Sequence, residues 1–465
     1  MTENVEDIDT LYIKAMGLPK EDPQREALLL KALESRMMAS IKDASDFSPN
    51  GTPLILFCYD NAISPRLGQR VIDELLDYVH SPRPVHHKIT KKAGGLNLGE
   101  DENVYFTPSE AVKIVVEAFK AFDPEMAMMV SEAFEEGRIS FAPSIYGAQS
   151  AASGYTATVP KDIEALSERL RNRPYASVPL NDGINKVSLQ NLFFLAHECG
   201  HLCAFQKYAN ALRSAPEQKL PLSNTPLQET FSALAERLLY RHLSTTFSKN
   251  DLLAYNINTV WKNRLDGLFF TCAKRAEMEA ALVQEYKKTS VDGRLPDVAR
   301  IDAITKEIMT DVPTSPWQNE ILIRYAPFRH IAYPLGAAAS QILFNRWMAG
   351  NNVTKKNLAS DWSRIQEKCQ ETNFMSAMRE MKIEPDKDDF LQHAIDGYEI
   401  HEMALESALD LVYASRTRAG LINRNVNSIL EKGSKQPLAL AANSSQLGCL
   451  AYDGRQLSQP AIRRK

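Results

Sequence analysis

The residues with the clearest chemical potential lie in the run LQNLFFLAHECGHLCAF, where His197-Glu198-Cys199-Gly200-His201 interrupts an apolar stretch. On a helix of 3.6 residues per turn, positions four apart stack on one face. His197 and His201 can therefore offer a ring nitrogen each to one Zn²⁺ at about 2.0 to 2.1 Å. Glu198 is turned roughly 100° from His197, placing it to act as a general base on a metal-activated water without becoming a ligand. Two histidines and a glutamate among Leu192, Phe193, Phe194, Leu195 and Leu202 would be costly to bury without a metal and partners.

A catalytic zinc takes three protein ligands and keeps one position open, so a third ligand must come from elsewhere in the fold. The segment TPLQETFSALAERLLY (225–240) starts a helix with Thr225 and Pro226 and presents Glu229, Ser232 and Glu236 along one side. Glu229, in the first turns, is the expected ligand. Glu236, two turns on, either orients an imidazole from outside the ligand set or is the alternative third ligand. One Zn²⁺ per chain is implied.

The elements that must hold these groups are mostly helical, because apolar residues recur at three and four spacing along most of the chain. Residues 23–44 read as an amphipathic helix, while 52–60 is an apolar run that periodicity leaves open between strand and helix. Residues 81–102, rich in Pro, Gly and charge and holding His86 and His87, read as an exposed loop and a boundary. Thr107, Pro108 and Glu110 form a capping box for a helix to about Phe122. A second helix follows Pro124, with Met126, Met128 and Met129 as core filler. Segments 138–144, 154–160 and 174–182 read as short strands. From Val187 to about Leu430 nearly everything reads as helix, and the last thirty or so residues as disordered. The expected organisation is an N-terminal helical lobe (1–80), the loop, a catalytic region (103–430) and a basic tail (431–465).

Composition narrows the function class. The chain has 465 residues, 44 % hydrophobic and 24 % charged, which is ordinary for a globular protein. A net charge of −4 without an aromatic-interleaved basic stripe argues against nucleic acid. No stretch approaches the ~18 to 20 apolar residues that span a bilayer, and the acidic start lacks a secretory pattern, so a cytoplasmic protein is expected. Six scattered cysteines suggest buried thiols, neither a disulfide framework nor a thiolate metal site. From Arg416 onward nine Lys or Arg face only Glu431 and Asp453, a basic tail that could dock an acidic protein partner.

HECGH followed 28 residues later by E-x-x-S-x-x-x-E resembles the oligoendopeptidase F branch of the thimet-type (M3) zinc metallopeptidases. EAFEEGRISFAPSIYGAQSAASGY and PYASVPLNDGINKVSLQNLFFLAHECGH follow that family's order of small-residue segment, short strand and zinc helix. RYAPFRHIAYPLGAAASQILFNRW (324–347) is similar to its tyrosine-rich substrate segment. The likeness covers about residues 100 to 410. It implies a mainly α, two-lobed helical zincin-type metallopeptidase with a small β-sheet beside the active-site cleft, acting on short oligopeptides. By the same resemblance His197, His201 and Glu229 bind zinc, Glu198 shuttles the proton, and Tyr333 stabilises the oxyanion. The segment departs from the family in having Ile323 and Arg324 near its usual histidine and Ile331 at a tyrosine position, for which His330 compensates. Arg324 and Arg329 are candidates to bind a peptide carboxylate. Other readings are a zinc-binding pseudoenzyme or peptide-binding module, and a dedicated processing protease for one peptide partner.

Overall fold

The computed structural model describes residues 8–19, 22–48, 52–81, 104–143, 155–158, 174–180, 185–214, 225–291, 296–309, 327–369 and 372–433. The loop with His86 and His87, Arg324, and the tail beyond residue 433 lie outside them. The protein is mainly α. Helices α1 (Ile8–Met16), α2 (Pro23–Phe47), α3 (Pro53–Asp60) and α4 (Pro65–His80) precede strand β1 (Tyr105–Phe106). Then come α5 (Pro108–Lys120), α6 (Pro124–Glu135), β2 (Ile139–Pro143), β3 (Tyr155–Thr158), β4 (Pro174–Leu180) and β5 (Val187–Ser188). The remainder is α7 (Leu189–Ser214), α8 (Thr225–Thr246), α9 (Asp251–Asp266), a π-helical turn (Gly267–Thr271), α10 (Cys272–Val291) and α11 (Val298–Ile308). A 3₁₀ turn (Arg329–Ile331) leads into α12 (Ala332–Ala349), followed by α13 (Asn352–Glu367), α14 (Phe374–Glu380) and α15 (Gln392–Gly433). Contacts divide the chain into a unit Met1–Leu409 and a unit Asp410–Lys465, and every residue of the site is in the first.

Local chemistry explains the helix starts. Thr107 accepts from the Glu110 N–H while the Glu110 carboxylate accepts from the Thr107 N–H at 2.9 Å, the expected capping box. The apolar run 52–60 forms a helix, with Thr52 before it and Pro53 at its first position. Met126 and Met129 are buried as core filler, but Met128 is 54 % exposed. Two residues advance a helix by ~200°, which carries Met128 to the face opposite Met126.

Strands β2 and β3 flank β4 in one three-stranded sheet, β2 parallel and β3 antiparallel to it, while β1 and β5 pair separately. Ala176, Val178 and Leu180 of β4 alternate into the core, where β4 lies against α7. Residues 189–200 of α7 are buried on all sides except for Gln190, so this helix is the axis of the main core. A second core joins α1 and α2 to α10 and α11. The described cysteines Cys58, Cys199, Cys203, Cys272 and Cys369 are buried and in no disulfide. No helix among the described residues is long and apolar enough to cross a membrane.

A buried charge anchors α7. Lys207 reaches Asp123 Oδ2 at 2.9 Å and Glu125 Oε2 at 3.1 Å and donates to Ser363 Oγ at 2.6 Å, tying α7 to α6 and α13. Removing one partner of a buried pair strands the other, and Asp123 is itself largely buried. Lys207→Met is expected to lower the unfolding free energy by about 2 to 4 kcal/mol in urea titrations, with the unfolding slope unchanged.

Candidate metal centre

His197 and His201 lie one turn apart on α7, and their Nε2 atoms are 3.2 Å from each other. Glu229 Oε2, from α8, is 3.4 Å from the first and 3.8 Å from the second. These three are the one His/Cys/Asp/Glu cluster among the described residues able to hold a metal ion. Two nitrogens and a carboxylate oxygen bonded to zinc at 2.0 to 2.1 Å would form tetrahedron edges of ~3.3 Å. The observed separations bracket that value, so the residues fit a zinc ion.

The remaining nitrogen of His197 shows how the ring is held. Nδ1 donates to Glu236 Oε1 at 2.7 Å, which turns Nε2 toward His201 and Glu229. Glu236 thus meets the ring nitrogen that faces away from the cluster. Its carboxylate is gripped in turn by Arg264 of α9, whose Nε and terminal nitrogen donate at 2.8 and 2.7 Å. The Arg264 guanidinium also lies 4.2 Å from the centre of the Phe194 ring. Burial alone would raise the Glu236 carboxyl, but the charge and hydrogen bonds of Arg264 and His197 outweigh it and hold it down at about 2. Ser232 Oγ donates to the Glu229 carbonyl at 3.0 Å and lies 3.3 Å from Glu229 Oε2.

Two glycines let the backbones come together. A Cβ on Gly200 would stand 2.8 Å from the Phe231 carbonyl oxygen and from Ser232 Cα. One on Gly336 of α12 would stand 2.6 Å from the Glu229 carbonyl carbon. Glycine at both positions is required for α8 to lie between α7 and α12 at this distance.

Glu198 is 5 % exposed on α7. Tyr333, partly buried and three residues before Gly336, shares with it the face of α12 turned to Glu229. The Glu229 charge, then burial, push the Tyr333 phenol well above its usual range, so it keeps its proton and remains a donor. Arg329 adds a positive charge felt by both Glu229 and Tyr333. His330 is engaged at both ring nitrogens: Nδ1 donates to Glu279 Oε1 at 3.0 Å, and Arg275 approaches Nε2 at 3.4 Å. Burial raises the Cys272 thiol to about 12, and burial likewise raises Cys199 inside the motif. Both stay protonated, which removes them as thiolate ligands or nucleophiles.

Sequence reasoning missed Arg264, Arg275 and Glu279. Each sits in a helix where a lone charge reads as a solvated face. The signal that could have found Arg264 is its neighbourhood, since Trp261, Leu265 and Leu268 flank it with apolar residues.

No family model matches the chain, and no curated protein matches it in sequence. Solved structures match it in fold. A protein named as a peptidase from Chlamydophila abortus aligns with TM-score 0.56 at 14 % identity, over 86 % of this chain and 64 % of that one. A protein named as an oligoendopeptidase F from Bacillus anthracis strain Ames aligns with TM-score 0.54 at 14 % identity, over 86 % and 70 %. Another structure named as an oligoendopeptidase F gives 0.51 at 11 % identity, over 85 % and 63 %. The fold is oligoendopeptidase F-like. The chain spans about two thirds of the length of these structures.

Two outcomes follow from the geometry. Arg264→Met frees Glu236 and with it the His197 ring, so zinc affinity measured against a chelating competitor is expected to fall about 10- to 100-fold. In chelator-treated protein, burial works against a charge on His197, but the contacts and charges of Glu229 and Glu236 prevail and raise it to about 10. A zinc ligand must be neutral, so zinc uptake at pH 7.5 is expected to release about one proton, seen as buffer-dependent heats in calorimetry. The same proton stabilises the stripped protein fully below the free value of 6.5, and that stabilisation is lost as pH rises through about 10.

Proposed function

We propose that the protein is a zinc-dependent metalloendopeptidase that hydrolyses short oligopeptides. The observation that carries this reading is the convergence of His197 Nε2, His201 Nε2 and Glu229 Oε2 beside Glu198. The oligoendopeptidase F-like fold supports it. When bound, zinc supplies Lewis acidity toward water and the scissile carbonyl. Glu198 takes the proton of the attacking water and delivers it to the leaving amine. Tyr333, held as a neutral phenol, donates a hydrogen bond to the developing oxyanion. Arg329 attracts a peptide carboxylate toward the same region, and Arg324 is a second candidate for that role.

A second reading is a zinc-binding pseudoenzyme or peptide-binding module. One observation favours it: Glu279 and Arg275 engage both nitrogens of His330, which leaves Tyr333 as the oxyanion donor among the described candidates. Zinc-loaded, folded protein that binds peptides and cleaves none would establish this reading. Dependence of cleavage on residues 434–465 would instead point to a processing enzyme with a tail-docked partner.

The test is cleavage of a mixed short-peptide library followed by mass spectrometry. Glu198→Gln is expected to retain one zinc per chain and lose detectable cleavage. Tyr333→Phe is expected to keep zinc and KM while kcat falls about 10²- to 10³-fold. Wild-type activity surviving full zinc removal would sink the proposal.

A further inference from the structure

The proposed oxyanion donor sits on a helix whose start is held in an unusual way. Phe328, immediately before the 3₁₀ turn, has φ +69°, a left-handed conformation that non-glycine residues seldom adopt. Its side chain is buried at 3 % exposure, so the conformation belongs to a packed position, not a free turn. The Phe328 N–H donates to Glu279 Oε2 on α10. The other oxygen of that carboxylate accepts from His330 Nδ1 at 3.0 Å, and both side chains are only 2 % exposed. Arg275, one turn earlier on the same face of α10, closes the arrangement on His330 Nε2. One buried carboxylate thus spans the turn, gripping it by backbone at 328 and by side chain at 330. Tyr333 begins three residues later, and Gly336 then locks α12 against the Glu229 backbone.

We infer that Glu279 is a positioning residue that clamps the left-handed turn at Phe328 and thereby sets where Tyr333 stands relative to the metal cluster. This rests on the metallopeptidase reading for its consequence in turnover, but the clamp itself is a statement about backbone. A charge is not needed to grip the backbone. A glutamine at 279 still presents a carbonyl oxygen to the Phe328 N–H, but its amide cannot accept from His330 Nδ1, and the other imidazole tautomer would set Nε2–H against Arg275, so glutamine keeps the backbone half of the grip. A leucine of similar size presents neither. Without the acceptor, the buried N–H is orphaned and a phenylalanine has no reason to stay at positive φ.

Full-length, zinc-loaded protein carrying Glu279→Leu or Glu279→Gln separates the possibilities. Backbone hydrogen exchange over 327–335, read by mass spectrometry, is expected to rise at least tenfold in Glu279→Leu and to stay as in wild type in Glu279→Gln. Exchange over α7 and α8 and zinc stoichiometry stay unchanged in both. On a cleaved peptide, kcat is expected to fall about 30- to 100-fold in Glu279→Leu with KM within twofold, and to recover to within about threefold in Glu279→Gln. Unchanged exchange over 327–335 in Glu279→Leu overturns the clamp. Raised exchange with unchanged kcat overturns its link to Tyr333. A wild type that binds zinc yet cleaves nothing defeats the metallopeptidase reading instead, and exchange alone then decides the clamp. Should Glu279→Leu fail to fold, Glu279→Asp, whose carboxylate falls one methylene short of the turn, is expected to raise exchange over 327–335 at least tenfold, and unchanged exchange there overturns the inference.

Discussion

A carboxylate can approach two stacked imidazoles from another helix only if the two backbones nearly touch. Helix α8 meets that demand twice, against Gly200 on α7 and against Gly336 on α12. A side chain at either position would stand under 3 Å from α8 backbone atoms and force the helix outward. Glu229 would then lose the reach that places its oxygen within 3.8 Å of both ring nitrogens. The second variable position of the HECGH run is therefore no spacer, because its lack of a side chain lets the α8 backbone in and brings Glu229 to the two histidines. Ordinary packing elsewhere, such as the Phe231–Trp362 edge contact and the Arg237 bonds to Ser340 and Ala337, holds the crossing in place.

Charge balance explains why the centre is built in layers. Glu198, Glu229 and Glu236 are all at most 6 % exposed, which without compensation would be prohibitive. Arg264 neutralises the outermost of them. A divalent cation between the two histidines and Glu229 would balance the inner pair. Before a cation is bound, the Glu229 charge and burial together raise the Tyr333 phenol well above its usual range.

Much of this was legible from spacing. The paired histidines, Glu198, Glu229 and Glu236 all lie within two helices, and helical periodicity alone puts them on defined faces. The capping box at Thr107 and the three short strands of the sheet were legible for the same local reason. The apolar run 52–60 is too short for its period to decide between strand and helix, and the deciding signal is its Thr-Pro start, the same as at 107 and 225. What escaped were interactions between distant stretches of chain. Arg264 lies 28 residues from Glu236, and Glu279 lies 51 from His330, and nothing local announces either pairing. The two-residue strands β1 and β5 are too short to carry a pattern. His330 was singled out for its residue type, yet its ring nitrogens are turned to α10.

The π-helical turn between α9 and α10 gives this support a fixed phase. Arg264, before the turn, serves the ligand side of the centre, whereas Arg275 and Glu279, after it, serve the segment that carries Tyr333. A π turn holds about one residue more than an α turn. Losing a single residue from 267–271 would restore plain α-helix with the downstream phase nearly kept, because the α turn closes the same circle with one residue fewer. Arg264, Arg275 and Glu279 would keep their faces. A one-residue gap in the plain α-helix on either side of the turn has no such relief and would swing Arg275 and Glu279 by roughly 100° relative to Arg264, so this stretch tolerates a change of length at the π turn alone.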